Sequence, residues 1–433
     1  MKKYDEYKDS GVAWIGEVPK HWEVIKLKYK YHFQTGATPN TGKKENFEGD
    51  LRWANISDLN GSVVYDTTKH INKEAASKCS MNISPKGSLM YSFKLSVGTV
   101  AFCGEDMYTN EAIASFIPQK NDLKYLFYCA PIFIIHNANR NIYNAPLLNQ
   151  ELIKNALICL PSLNEQTVIA TYLDTHCAKI DNLISIQQKR IALLQELKQS
   201  VITHAVTKGL NPNVEMKQSG VEWIGDVPKH WEVMPIKYIA DTNSGATPKN
   251  IKGRQNERSD IKWVRTTDLS DICDYVYDSS EYLSREEMKS ASCPWLPKNT
   301  VVVAMYGGSG TIGKAGILGC DSTINQALCS LETKKLEDYR YLYYNIKSLR
   351  PYWMKLAASS RKDPNISQEI IRNMDVPVPG IDEQTKIVQY LDRKCTTINT
   401  SISNAQHQIE LLQEYKQSLI TEVVTGKRKV TDN

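Results

Sequence analysis

A chain of 433 residues exceeds one ordinary hydrophobic core, so two globular domains are expected. A hydrophobic fraction of 41% with 23% charged residues is that of a globular chain rather than a disordered or membrane one. The net charge of +5 permits a polyanionic partner without requiring one, and no apolar run reaches the ~18 residues of a membrane span.

The N-terminus, Met1-Lys2-Lys3-Tyr4-Asp5, lacks the apolar stretch of a signal peptide, so a cytoplasmic protein without membrane contact is expected. The 10 cysteines are scattered singly, with no Cys-x-x-Cys pair and no histidine cluster at zinc spacing. Cys177 and Cys395 fall at matching points of a helical pattern and read as small buried side chains.

The chain contains itself twice. Ser10–Val24 returns almost residue for residue as Ser219–Val233, and Gly36-Ala37-Thr38-Pro39 returns as Gly245-Ala246-Thr247-Pro248. A second echo closes each half, where Pro161 with Glu165-Gln166 matches Pro379 with Glu383-Gln384. Between these ends the halves diverge, as a duplicated frame with two different inserts. Segment 1–19 opens the frame, 20–160 is the first insert, and 209–228 is a linker repeating the opening segment. The second insert is 229–378, and a short tail covers 427–433.

Each insert reads as mixed α/β. Gly87–Tyr91 and Thr300–Tyr306 look like buried strands, and the tracts around Tyr125–Tyr128 and Tyr339–Tyr344 look like short helices. After each insert comes one long helix. Within 161–208, Leu173, Ile180, Ile184, Ile191, Leu194 and Val201 follow the spacing of a coiled-coil seam. Within 379–426, Leu391, Ile398, Ile402, Ile409, Leu412 and Leu419 keep the same register. Asn164 and Asp382 are the expected N-caps, and Gly209 and Gly426 the stops. Two matched stripes on helices of roughly 60 Å are most economically buried against each other, and a pseudo-two-fold repeat requires them to run antiparallel. The expected fold is therefore α/β (α+β), two globular domains joined by an antiparallel coiled-coil spacer.

Catalytic signals are sparse. Tyr306–Gly313 resembles a phosphate-cradling loop but lacks the Gly-Lys-Ser/Thr ending, and reads as a flexible turn that lets backbone approach a ligand. No serine elbow occurs, and the Glu-x-Lys triplets at Glu196 and Glu414 lie within the long helices. No Asn-Pro-Pro-aromatic motif is present. His21 and His230 are expected to hydrogen-bond locally, and the frame tryptophans Trp14, Trp22, Trp223 and Trp231 to pack.

The polar residues of the inserts are more suggestive, because arginine and asparagine read purine edges bidentately while lysine neutralises phosphate. Lys43 and Lys44 follow the first Gly-Ala-Thr-Pro turn, and Lys249, Lys252 and Arg254 follow the second. Arg52-Trp53 is answered by Lys262-Trp263, with Asn55 and Arg265 just beyond. Arg140, Asn141 and Tyr143 precede Gln150-Glu151 much as Arg361 and Lys362 precede Gln368-Glu369. Lys94, Tyr306 and Ser309 complete the candidate DNA-binding set.

With these features in place, the chain resembles the specificity subunit of a type I restriction–modification system over nearly its whole length. The carriers are the Lys8–Val24 frame and its copy, the two Gly-Ala-Thr-Pro turns and the two Pro-x-x-x-Glu-Gln helix starts. The resemblance implies two target-recognition domains, each reading one half of an asymmetric bipartite site in double-stranded DNA. It implies helices that space the half-sites and dock two methyltransferase subunits, with restriction subunits joining the complex. It implies no catalysis and no cofactor in this chain; S-adenosylmethionine, ATP and Mg belong to the partner subunits. The other readings are a coiled-coil scaffold that binds only protein, and a fused methyltransferase or nuclease whose motifs are absent.

Overall fold

The computed structural model describes residues 2–118, 123–248, 260–307, 310–334, 338–358 and 365–430. Its main helices are α1 (Leu123–His136), α2 (Leu163–Lys208), α3 (Tyr339–Ala358) and α4 (Ile381–Val424). The expected short helices α1 and α3 are thus longer than the tyrosine tracts that announced them. The chain forms two compact units, Met1–Ile186 with Gln408–Asn433, and Gln187–His407. The division runs through both long helices, so each unit holds the first part of one and the last part of the other.

Each unit pairs its helix segments antiparallel. In the first, Lys416 on α4 meets Asp181 on α2 at 2.7 Å, while Tyr172, nearer the start of α2, lies under Arg428 beyond the end of α4. In the second, Lys198 on α2 donates to Asn399 on α4 at 2.8 Å, while Gly209 at the end of α2 lies against Glu383 near the start of α4. Of the seam residues, Leu173, Ile180, Leu391, Ile398, Ile402 and Leu419 are buried, whereas Ile184, Ile191, Leu194, Val201, Ile409 and Leu412 are half-buried.

The two inserts share a topology. In the first unit, a five-stranded sheet runs in the spatial order Phe33–Thr35, Ile113–Phe116, Leu89–Ser92, Val100–Cys103, Val63–Val64. In the second, the order is Ala240–Ser244, Leu328–Thr333, Val301–Ala304, Ala315–Leu318, Tyr275–Val276. A three-stranded sheet accompanies each, centred on Leu51–Ala54 and Ile261–Val264. The alanine- and valine-rich strands Val301–Ala304 and Ala315–Leu318 are buried throughout, because α3 covers one face and Val264, Leu269 and Leu296 pack on the other.

The repeated frame is the seat on which one long helix begins and the other ends. His21 Nε2 lies 3.0 Å from Glu165 Oε2, and His230 Nε2 lies 2.9 Å from Glu383 Oε2. The histidines therefore do not bond locally, since these carboxylates are 144 and 153 residues away. Buried Trp22 packs near Gly426, and buried Trp231 packs near Gly209. Both glycines have positive φ (+71° and +76°), the left-handed conformation that ends a helix.

Both helix starts lie ahead of the expected caps. Gln166 Nε2 donates to the Pro161 carbonyl at 2.9 Å, and Gln384 Nε2 to the Pro379 carbonyl at 3.0 Å. That bond draws the first turn tight against each proline. Ser162 and Gly380 then take the cap positions, their carbonyls accepting from the backbone N–H groups of Gln166 and Gln384. Asn164 and Asp382 sit inside the first turn.

Candidate nucleic-acid interface

The strand register brings distant segments to one edge of each five-stranded sheet. Ala114 lies opposite Thr35 and Ile113 opposite Ser92. The turn after Thr35, the loop after Ser92 and the turn before Ile113 therefore share one end. Gly36 is held so close that a Cβ would stand 1.6 Å from the Thr109 carbonyl oxygen, so only glycine fits. Ala37 N–H donates to that carbonyl at 3.1 Å, and the Trp53 indole donates to the Ala37 carbonyl at 3.0 Å. The second unit repeats the device, Ala246 N–H donating to Ile324 at 3.2 Å and Trp263 to Ala246 at 3.1 Å. The Trp53 and Trp263 rings, both buried, thus lock the Gly-Ala-Thr-Pro turns in place.

A fourth segment projects beside this edge in the first unit. Asn139–Arg140 pairs with Pro146–Leu147 in a hairpin whose tip leaves Ile142 91% and Tyr143 83% exposed. Gly98 packs against Ile135 near the end of α1, which joins the loop after Ser92 to the helix leading into the hairpin. Gln150 Nε2 donates to Thr35 Oγ1 at 3.0 Å where the chain leaves it.

The candidates divide by how they are held. Lys94 is exposed in the loop after Ser92. Nearby Glu111 is held below the usual carboxylate range, first by the Thr38 hydroxyl donating to it and also by the Lys94 charge. Lys43 and Lys44 are exposed at the start of a short 3-10 turn, Lys44–Phe47. Tyr306 stands 36% exposed in the loop of the second unit that matches the Lys94 loop. The match rests on Phe93 N–H donating to Ala112 and Met305 N–H donating to Ala327.

Others are engaged in local structure. Arg52 pairs with Asp66 at 3.4 Å. Asn55 caps the turn after its strand, its side-chain oxygen accepting from Ser57 N–H at 2.8 Å. Arg265 donates to Ser280 at 2.8 Å and approaches Glu281 at 3.5 Å. Asn141 accepts from the N–H groups of Tyr143 and Ala145 at 2.9 Å each, shaping the hairpin tip, while Arg140 donates to the Asn144 carbonyl at 3.0 Å. Lys249, Lys252, Arg254, Ser309, Arg361 and Lys362 lie outside the described residues.

Sequence reasoning missed a matched pair of turns on this edge. Asn110 accepts from Ala112 N–H at 3.1 Å, and Asn325 from Ala327 N–H at 3.2 Å. The residue between differs, Glu111 in one unit and Gln326 in the other. The echo Asn-Glu-Ala against Asn-Gln-Ala was the available signal. Among the described residues no group of His, Cys, Asp and Glu could hold a metal ion, and no helix is long and apolar enough to cross a membrane.

A family model for the type I restriction modification DNA specificity domain matches residues 19–196 and 228–411. The chain is 24% identical over 431 residues to the MjaIX specificity subunit, a type I restriction enzyme subunit of Methanocaldococcus jannaschii, covering 96% of both. It is 21% identical over 363 residues to the EcoBI specificity subunit of Escherichia coli, covering 79% of this chain and 75% of that one. A solved chain from work on complex assembly and conformational transition of the type I restriction–modification system matches with a TM-score of 0.68 at 13% identity. That match covers 94% of this chain and 98% of the other, and shows a shared fold.

Proposed function

The chain belongs to the type I restriction–modification DNA specificity family, and from that premise we propose that it is a DNA-recognition subunit reading an asymmetric bipartite site. The observation that carries this reading is one frame holding two unlike inserts on a matched helix pair. Each insert offers the same sheet edge with different chemistry, Lys94 and Glu111 on one, Tyr306 and Gln326 on the other. Unlike edges on a common scaffold suit two different half-sites. The exposed cations Lys43, Lys44 and Lys94 suit phosphate, and the Ile142-Tyr143 tip suits an apolar contact with bases or sugar.

In this reading the chain is non-catalytic. Two methyltransferase subunits dock on it and restriction subunits join them, those partners holding S-adenosylmethionine, ATP and Mg. The complex works in the cytoplasm, where the host DNA lies. Residues 20–160 and 229–378 are the recognition domains, and 161–208 with 379–426 set the gap. Exchanging 20–160 for the insert of another specificity subunit should change one half-site of the methylated sequence and leave the other half and the gap intact. Methylation of both halves at new sequences would overturn modular readout.

A further inference from the structure

The seam of the long helices carries one lysine in each unit. The stripe Ile184, Ile191 continues seven residues on as Lys198, and the stripe Ile402, Ile409 continues as Lys416. A polar residue at a single seam position specifies register at a cost in stability, because an apolar seam alone is matched again after a slip of one heptad. Lys198 is 7% exposed, so its ammonium must find partners inside the protein. It donates to Asn399 Oδ1 at 2.8 Å and to the Asp271 carbonyl at 3.1 Å. The Asn399 amide in turn donates to the Ile272 carbonyl at 2.9 Å.

Two adjacent carbonyls of one loop thus each accept from a different long helix. We propose that this clasp, Lys198 and Asn399 on the carbonyls of Asp271 and Ile272, fixes the register of the spacer helices and is thereby a determinant of the recognised gap. The proposal rests on the DNA-recognition reading above.

Charge pairing by itself would not suffice. A one-heptad slip would bring Lys198 opposite Asp392, an acceptable ion pair. The loop does not tolerate that slip, because moving either helix separates one donor from its carbonyl while the other stays. The loop is itself anchored. Asp274 accepts from Lys347 at 2.9 Å and from the Tyr343 hydroxyl at 2.6 Å, and Asp271 is ion-paired to Arg350. The helix segments of the second unit are therefore referenced to its insert as well as to each other.

The test is the double variant Lys198→Met with Asn399→Leu, co-expressed with its methyltransferase and read by methylome sequencing. Apolar side chains of similar size keep the seam filled while removing both donors. The expected result is unchanged half-site sequences with a new set of methylated sites whose gap differs from that of the wild type. Methylation at those sites should rise at least about tenfold, because the variant removes three hydrogen bonds and one bond to a charged group alone represents about that ratio. The single variant Asn399→Asp keeps an acceptor for Lys198 but removes the donor to Ile272, so it should relax the gap as well. A double variant that folds, by circular dichroism and thermal unfolding, and methylates only the original gap with wild-type selectivity overturns the proposal. If the double variant does not fold, Asn399→Asp decides alone. A wild-type complex without bipartite methylation would instead sink the underlying reading, so the two failures are distinguishable.

Discussion

The same helix crossing occurs in both units with different surroundings. Lys416 meets Asp181 where the side chains keep 31% and 55% of their exposure, and an open cleft of about 630 Å³ lies beside them. Lys198 meets Asn399 in a buried setting, clasped by residues 271–272 and flanked by Lys347, Asp274 and Tyr343. In the first unit, Phe127 and Pro131 line the cleft, and Phe127 stacks on Phe102. Duplication preserved the lysine and left its partner and surroundings free to diverge. Solvent replaces the clasp in one unit, so the crossing there needs a full opposite charge, whereas the other supplies neutral acceptors from the protein.

The largest effects are expected where the frame meets the helices. Trp231 donates to Glu383 at 2.9 Å, while the Trp22 indole N–H finds no acceptor among the described residues. Both rings are fully buried, so alanine at either should cost about 3–5 kcal/mol. Trp231→Ala should exceed Trp22→Ala by about 1 kcal/mol, the worth of the extra hydrogen bond. Hydrogen exchange resolved by unit measures both. Equal losses would show that the indole bond contributes nothing.

The next contrast concerns the crossings themselves. Asn399→Leu leaves the Lys198 ammonium buried with one acceptor fewer, which should destabilise the second unit by about 2–3 kcal/mol. Asp181→Leu removes a partner from a lysine that water can still reach, so the first unit should lose less than about 1 kcal/mol. Unit-resolved exchange again reads both, and the reverse order would mean that burial does not separate the crossings.

Much of this architecture was legible because repetition and heptad spacing are local or periodic signals. The long helices extend over nearly the expected residues, and Gly209 and Gly426 end them as their left-handed φ requires. The caps were misread because the Gln166 and Gln384 side chains reach back to proline carbonyls, a bond that no propensity anticipates. The histidine partners were invisible for a similar reason, since Glu165 and Glu383 come to the frame only after the whole insert has folded. On the candidate interface, residue type pointed to Asn55 and Asn141, whose side-chain oxygens the fold engages in turns. Glu111 and Gln326 escaped notice because strands distant in sequence bring them to that edge. The seam lysines could have been found by continuing the Ile184 and Ile402 stripes one heptad further.

The buried lysine also gives the second unit a pH signature. Burial, reinforced by the neighbouring Lys347 charge, pushes Lys198 down to about 8 from its usual 10.5. Between these values the unfolded chain holds a proton that the folded one has released, so stability rises with pH across that window and is flat below it. The Tyr341, Tyr343 and Tyr344 phenols are pushed up, chiefly by burial, so their contribution is intact below pH 10 and is lost as pH rises beyond it. Burial also pushes the Cys293, Cys329 and Cys395 thiols up from 9.0, so they lose stability as pH rises past that value. The unfolding midpoint of the second unit should therefore climb from about pH 8 towards 9 and then fall. Lys198→Met should remove the climb and keep the fall. A climb that survives in this variant would assign the titration to another group.

The smallest effect should come from giving the first crossing the partner that the second one uses. Asp181→Asn turns Lys416–Asp181 into a Lys–Asn pair and leaves its surroundings as they are. Half of the Asp181 side chain faces solvent, so the lost ionic attraction is already screened and the change should stay within about 0.5 kcal/mol. What the exchange should alter is salt dependence. In the wild type, raising salt weakens the exposed pair, since the Debye length shrinks from about 10 Å at 0.1 M to about 3 Å at 1 M. The variant has no such pair to screen, so its stability should vary less across that range. A loss above about 2 kcal/mol at low salt would mean that Asp181 behaves as a buried partner. The two crossings would then differ in chemistry but not in their dependence on it.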